Sequence, residues 1–222
     1  MKNKNIRKLS GKPLIYYTIK ASLNSKVSRT ILSTDSPKIA KLAARFGAEV
    51  PFLRPKKYAL KKSPSMAVIL HCLDYLKKHE QYVPDYVVFL QPTSPFRTSG
   101  DIDNGINEIL RRKTNSLIGL VEATQHPLWM FKKTRNNRLI AFQKNSNKPL
   151  RRQKLPKLYH INDALYISKR QYFDTASIHK PVIDLNDLTG LEMDPLNSLD
   201  INTNLDFEIA KKLHPLLKKH IN

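Results

Sequence analysis

The segment Gln91-Pro92-Thr93-Ser94-Pro95-Phe96-Arg97 sets Gln, Thr, Ser and Arg, all directional hydrogen-bonding groups, on a backbone stiffened by two prolines. Such a segment can form a rigid shelf for a polyhydroxylated anion; it can equally be a strand-to-helix turn with surface polar groups. In Asp200-Ile201-Asn202, oxygen donors at i and i+2 of an extended chain project to the same side, so both can face one Mg²⁺. Asp-x-Asn is also frequent in plain turns. Arg54 follows a short extended segment, and Ser63 and Ser65 open a helix, a setting suited to phosphate or to ordinary capping. Arg151-Arg152-Gln153 can clamp a carboxylate or phosphate, or lie in a solvated basic loop. Other chemistries find no support. The seven histidines lack zinc spacing, Cys72 is the one cysteine, and with six glycines there is no Walker loop, dinucleotide fingerprint or nucleophile elbow.

The elements that must position these groups alternate. Helices are expected from Pro13 through Ala21, from Ser36 to a stop at Gly47 with Ala40, Leu42 and Ala43 inward, over Ser65–Lys78 and over Asp101–Arg111. Short strands are expected at Arg29–Thr34, buried, and at Ala48–Leu53, Ser116–Val121 and Ala164–Ile167. Asp85–Leu90 is a continuous apolar run that reads as the central strand. This order predicts a doubly wound α/β sheet, with ligands outside the carboxyl ends of the strands, where Asp35, Arg54 and Gln91 fall. After His126 the pattern changes to a hairpin (Met130–Lys133 with Arg138–Phe142, closed at Asn136-Asn137) and a polar, basic excursion over 143–160. A final amphipathic helix, Leu205–Leu217, is expected to be interrupted near Pro215.

Composition sets the outer bounds. A chain of 222 residues with 41% hydrophobic content can bury a core without staples. One cysteine excludes an internal disulfide. No apolar run approaches the roughly 18–20 residues of a membrane span, and Met1–Leu9 has no secretory h-region, so a soluble cytoplasmic protein is expected. The net charge of +21 raises nucleic acid as a partner, but the lysines are spread over nearly every segment and no basic stripe is interleaved with aromatics, which argues against it.

Several motifs occur together and in order: Lys4-Asn5-Ile6-Arg7, Gly11-Lys12-Pro13-Leu14, Ser33-Thr34-Asp35, the run Gly47 to Pro55, Leu90 to Arg97, His126-Pro127, Arg152-Gln153, Asn162 to Ile167 and Ser198 to Phe207. Over nearly the whole chain this resembles the acylneuraminate cytidylyltransferases, the CMP-sialic acid synthetases. The resemblance implies a Rossmann-like, mostly parallel sheet of the nucleotide-diphospho-sugar transferase type. One domain spans 1–222, with a dimerisation excursion at about 128–160. It implies CTP and a nine-carbon sugar acid as substrates, Mg²⁺ as cofactor and a homodimer. By motif, Asp200 holds the metal with Asn202 beside it. Gln91, Pro92 and Thr93 line the sugar-acid pocket. Arg54 and Ser65 lie on the nucleotide side, and Lys4 and Asn5 bind substrate. Arg152, Gln153, Asn162 and Tyr166 meet the acid sugar, some from the partner subunit. Asp200, Gln91 and Arg152 are the residues expected to matter most for turnover. The loop also differs from that of the cytidylyltransferase for the eight-carbon acid KDO.

Three departures from the family pattern carry expectations of their own. The family opens with a strand and a glycine-rich basic loop that cradles the CTP phosphates, and these residues start at the Lys4-Asn5 pair that follows it. Low stability and weak or no turnover are therefore expected of residues 1–222 alone. The second metal carboxylate is Asn202, a weaker Mg²⁺ ligand. Lys61-Lys62 replaces an acidic pair before Ser63, and Asn162-Asp163 replaces Asn-Gly, adding a negative charge that needs compensation near an anionic substrate. The rival to an enzyme is an impaired family member acting as a binding or interaction protein.

Overall fold

A computed structural model describes residues 4–60, 62–143 and 151–220. A tight ribbon of β1 (Lys8–Leu9) and β2 (Lys12–Pro13) turns at Ser10 and Gly11, both at positive φ, where glycine is at ease. Pro13 then leads into α1 (Leu14–Leu23). The side chain of Ser36 accepts a hydrogen bond from the Ile39 amide to cap α2 (Pro37–Arg45), which stops before Gly47 at φ +101°. Of its three expected inward residues, Ala43 is buried while Ala40 and Leu42 are half-buried. α3 (Ser65–Glu80) follows, then β3 (Tyr86–Phe89), α4 (Ser99–Arg112), β4 (Ser116–Glu122), the hairpin β5 (Phe131–Lys133) and β6 (Leu139–Ala141), β7 (Tyr159–Lys169), the short α5 (Arg170–Asp174), β8 (Leu188–Glu192) and α6 (Asn204–His220).

The main sheet has the order β3-β7-β4-β8. β7 runs antiparallel to β3 and β4, and β4 parallel to β8. Three strands therefore point one way and β7 is inserted against them, a mixed sheet within an α/β architecture. Its faces are both covered, which explains the unbroken apolar runs. On one face Ile102 and Ile109 of α4 pack with Leu117, Leu165 and Ile167, joined by Ala21 of α1. On the other, Met66, Ile69 and Leu73 of α3 pack with Phe173 of α5 and with Val87 and Phe89. Gly105 permits the close approach of α4, since a Cβ there would stand 2.6 Å from Leu165 Cδ2.

Three expected strands differ. Asp85–Leu90 does not lie at the centre: β3 is an edge, paired only with β7 among the described residues and half-buried along its length. Arg29–Thr34 is not a strand. It makes a single parallel bridge, Ile31 with Glu49, and among the described residues no strand lies on its other side and Ala48–Leu53 pairs only there. A hydrophobic run reports burial, and its rank within a sheet depends on partners elsewhere in the chain. α6 also runs through Pro215 to His220 instead of breaking. The carbonyl that loses its partner there belongs to exposed Lys211, where water can satisfy it. The hairpin lies at Phe131–Lys133 and Leu139–Ala141, turned with Asn137 at φ +64° and exposed along both strands.

Candidate active site at the carboxyl end of β3

The chain leaving β3 turns inward. Thr93, Ser94, Phe96 and Arg97 are all buried, so the Gln91–Arg97 loop is a shelf inside the protein and not a surface turn. Arg97 fastens it. Its Nη1 donates to the carbonyl of Ala164 on β7 at 2.6 Å and to that of Gln91 at 3.4 Å. Nε and Nη2 have no partner among the described residues, and burial pulls the guanidinium pKa down to about 10 despite nearby Asp101. Thr18 Oγ1 of α1 also donates to the Gln91 carbonyl, at 3.3 Å.

A second loop is tied to this shelf. The Ile201 amide donates to the Thr93 carbonyl at 2.9 Å, and Lys4 Nζ donates to the Ile201 carbonyl at 2.8 Å. Ile201 is itself fully buried with Leu9, Leu14, Phe96 and Phe207, so the N-terminal ribbon, the shelf and α6 share one core. Asp200 is thereby held at the end of β3. Its Oδ2 accepts from Asn202 Nδ2 at 2.5 Å, while its buried Oδ1 has no partner among the described residues. An acceptor-only oxygen left bare in a buried setting suits a cation. Asn202 follows at the surface, positioned by Asp206, whose Oδ2 accepts from the amides of Asn202 (2.9 Å) and Thr203 (2.7 Å).

These two hydrogen bonds hold the Asp206 carboxyl below the usual carboxylate range. A depressed folded pKa gives stability that is present above the unfolded value near 3.8 and is lost as pH falls through the folded one. Asp206→Ala is accordingly expected to lower unfolding stability by about 1 kcal/mol at pH 7, as loss of a helix cap does, and by progressively less in acid. Denaturant titrations of both proteins at pH 7 and pH 3 measure this; an unchanged difference between the two pH values contradicts it.

Tyr166 closes the group. It is buried on β7, and its hydroxyl donates to Asp163. Burial first, then Asp163 and Asp200, push the phenol pKa up, with Gln91 acting the other way. Asp163 sits at φ +56° in an irregular stretch of β7, where the register to β4 jumps between Ile118 and Leu120. The bulge brings side chains at i and i+3 of one strand together, which regular alternation forbids. The Tyr166 hydroxyl gives Asp163 a hydrogen bond, while the carboxylate's charge remains.

Arg54, Ser65 and Asn5 line a cavity of about 900 Å³ that also reaches Gln91 and Pro92. Arg54 lies 3.8 Å from Asp35, and its buried Nε has no partner among the described residues. Ser65 is exposed at the start of α3, which opens without a side-chain cap. The remaining expected residues lie elsewhere. Asn162 is buried: its Nδ2 donates to Ser198 Oγ (2.9 Å) and Met193 Sδ (3.2 Å), and its Oδ1 accepts from the Ala164 amide. That places it behind the site, holding the Ser198–Asn202 loop to β7. Gln153 faces a separate cavity of about 420 Å³ with Glu122, His126 and Trp129. Arg152 belongs to a short 3₁₀ turn, and its side chain lies outside the described residues.

The structure therefore gathers Lys4, Gln91, Thr93, Tyr166, Asp200 and Asn202 at one place and Asn5, Arg54, Ser65 and Pro92 around the adjoining cavity. Arg97, one of the hydrogen-bonding groups of the Gln91–Arg97 segment, ties the shelf to Ala164 and Gln91. Asp206 is the residue the sequence does not mark; its only signal is its place four residues after Asn202. Among the described residues no cluster of three His, Cys, Asp or Glu forms a metal cage, and no helix is long and apolar enough to cross a membrane.

The family profile described as Cytidylyltransferase matches residues 1–214. The chain is 33% identical over 218 residues to Post-translational flagellin modification protein B of Campylobacter coli, covering 96% of this chain and 88% of that protein. It is 32% identical over 225 residues to the CMP-N,N'-diacetyllegionaminic acid synthase of Legionella pneumophila, covering 96% and 90%. The solved structure of a CMP:2-keto-3-deoxy-manno-octonic acid synthetase complexed with CTP superposes with a TM-score of 0.68 over 97% of this chain and 93% of that one; at 13% identity this shows the fold alone.

Proposed function

The chain belongs to the cytidylyltransferase family, and from that premise we propose that it activates a nine-carbon sugar acid of the sialic and legionaminic class with CTP, giving the CMP-sugar and pyrophosphate. The observation that carries the reading is Asp200. Its unpartnered Oδ1 stands beside Tyr166 and the Gln91 shelf, at the carboxyl end of β3, the end where α/β sheets bind ligands.

In the reaction the anomeric hydroxyl attacks the α-phosphorus. The new sugar O–Pα bond forms, the Pα–O–Pβ bond breaks, pyrophosphate leaves and the hydroxyl proton is released. The protein's part is positioning and charge neutralisation. Asp200, with the Asn202 carbonyl, would hold Mg²⁺, which supplies charge neutralisation at the phosphates. Gln91, Pro92, Thr93 and Tyr166 would orient the sugar acid. Lys4, Asn5, Arg54 and Ser65 would face CTP, with the bare Arg54 Nε as a phosphate donor.

The exposed Phe131, Leu139, Ile140 and Phe142 of the hairpin support a homodimer in which the arm at 128–160 of a single 1–222 domain brings Arg152 and Gln153 toward the partner's sugar site. The absence of any cysteine pair suits the cytoplasm. Pyrophosphate release, measured with CTP, Mg²⁺ and either N-acetylneuraminate or N,N'-diacetyllegionaminate, tests the function. Release that needs both substrates supports it; release unaffected by omitting the sugar acid contradicts it.

Asp163 gives a sharper expectation. Asp163→Asn removes a like charge beside an anionic substrate while keeping a hydrogen-bond acceptor for Tyr166. KM for the sugar acid is expected to fall about fivefold, the equivalent of ~1 kcal/mol for a like charge near water, with KM for CTP unchanged. A KM that rises for the sugar acid assigns Asp163 a direct substrate contact instead.

A further inference from the structure

Asp163 stands at the sugar shelf, and the reaction above gives it no task. Its neighbour Asn162 turns back to Ser198 and Met193. Asp163 therefore projects to the other side of β7, where its Oδ1 accepts from the Tyr166 hydroxyl. That hydroxyl also meets the side chain of Gln91 and feels the charge of Asp200. The backbone agrees. β7 pairs with β3 at Tyr166 and Phe89, and continuing that register sets Ala164 level with Gln91 and Asp163 level with Pro92. Arg97 Nη1 fastens the first of these pairs by donating to both carbonyls.

No cation answers this carboxylate among the described residues. Asp163 enters no ion pair there, and its Oδ2 has no hydrogen-bond partner. Two cations are built into this part of the fold, and both face other groups. Lys4 donates to the Ile201 carbonyl and acts on Asp206. Arg97 donates to the carbonyls of Ala164 and Gln91 and is opposed by Asp101. The charges acting on the Tyr166 phenol are both negative, Asp163 and Asp200. Asp200 has the metal to neutralise it in the proposed reaction, and Asp163 has no such partner. Beside a substrate that is itself an acid, the bare carboxylate repels, which is the effect that Asp163→Asn relieves for N-acyl acids. The sign reverses when the substrate brings its own cation.

We propose that Asp163 selects a nine-carbon sugar acid bearing a cationic nitrogen substituent, a protonated amine or amidine, in place of one N-acyl group. This selection presupposes the cytidylyltransferase activity proposed above and narrows its substrate. An amidinium is planar and, like a guanidinium, presents parallel N–H donors that match a carboxylate. Oδ2 is free to accept one of them, and Oδ1 has a second lone pair beside the Tyr166 hydroxyl for another. An acetamido group of the same shape turns a carbonyl oxygen, an acceptor, where the amidinium has a donor, and an acceptor against a carboxylate gains nothing. Acetyl and acetimidoyl thus fill the same space and differ in charge and in donors, the two properties that Asp163 reads.

The test is a competition in one tube. The full chain receives CTP, Mg²⁺ and equal amounts of N,N'-diacetyllegionaminate and a derivative carrying acetimidoyl in place of one acetyl group, each such derivative being run in turn, and the two CMP-sugars are quantified by chromatography. Their ratio does not depend on the active fraction, so a variant that merely folds less well leaves it unmoved. With one of the derivatives the parent is expected to favour the amidine about tenfold, the worth of a charge-assisted hydrogen bond. Asp163→Asn is expected to lower the ratio about fiftyfold, combining loss of that bond with the fivefold relief for the acetyl acid. Asp163→Gly, which suits the positive φ, should lower it likewise. Equal use of acetyl and acetimidoyl acids by the parent overturns the selection and leaves the cytidylyltransferase reading standing. A preference that both variants retain also overturns it and assigns the cation to Asp200. No CMP-sugar from any acid overturns the activity reading, and the selection falls with it.

Discussion

Asp200→Ala is expected to reduce turnover at least about a thousandfold while leaving the fold intact. Removing one preorganised charged group from a phosphoryl-transfer site typically costs ~4 kcal/mol of barrier, and each 1.36 kcal/mol is tenfold. Stability should move by no more than about 0.5 kcal/mol. The Oδ1 that disappears has no partner to strand, and the amide of Asn202 that loses Oδ2 is exposed to water. Thermal unfolding and steady-state rates on the same preparation read both halves. Turnover within tenfold of the parent removes Asp200 from the metal role.

Arg97→Ala should act mainly on stability and position. The change leaves a cavity and deprives the Ala164 carbonyl of its 2.6 Å donor inside the core. Truncation of a large buried side chain and an unsatisfied buried acceptor together cost about 3 kcal/mol, partly offset because a desolvated charge is removed. Below its lowered Tm the variant should bind the sugar acid with raised KM, since the Gln91 carbonyl is freed as well. Arg97→Lys should not restore it: an ammonium cannot span Ala164 and Gln91 as the planar fork does. Wild-type KM in Arg97→Lys would show that burial of charge alone, not the bridge, sets the shelf.

Much of the site was legible because local rules agree with the fold at those positions. The end of an apolar run followed by Gln, Pro and Thr marks a strand end whatever its place in the sheet, and Asp-x-Asn projects two oxygens wherever the chain is extended. What stayed hidden depended on partners distant in sequence. Asp85–Leu90 reads as central since both its faces are covered, yet among the described residues only one edge is paired. Arg29–Thr34 has strand composition and, among the described residues, a single bridging partner. The Asp163–Tyr166 pair exists only because β7 bulges opposite Gly119, where a Cβ would stand 2.5 Å from Asn162 Oδ1. Arg97 is legible as a hydrogen-bonding group of the shelf, but its burial is not, because it depends on β7, far away in sequence.

The most direct measurement is ³¹P NMR of the chain incubated with CTP, Mg²⁺ and N,N'-diacetyllegionaminate or N-acetylneuraminate, beside Asp200→Ala under identical conditions. The site described predicts a new phosphodiester resonance of the CMP-sugar growing with pyrophosphate, however slowly, in the parent protein and not in the variant. No CMP-sugar from either acid, or equal amounts from both proteins, would contradict it.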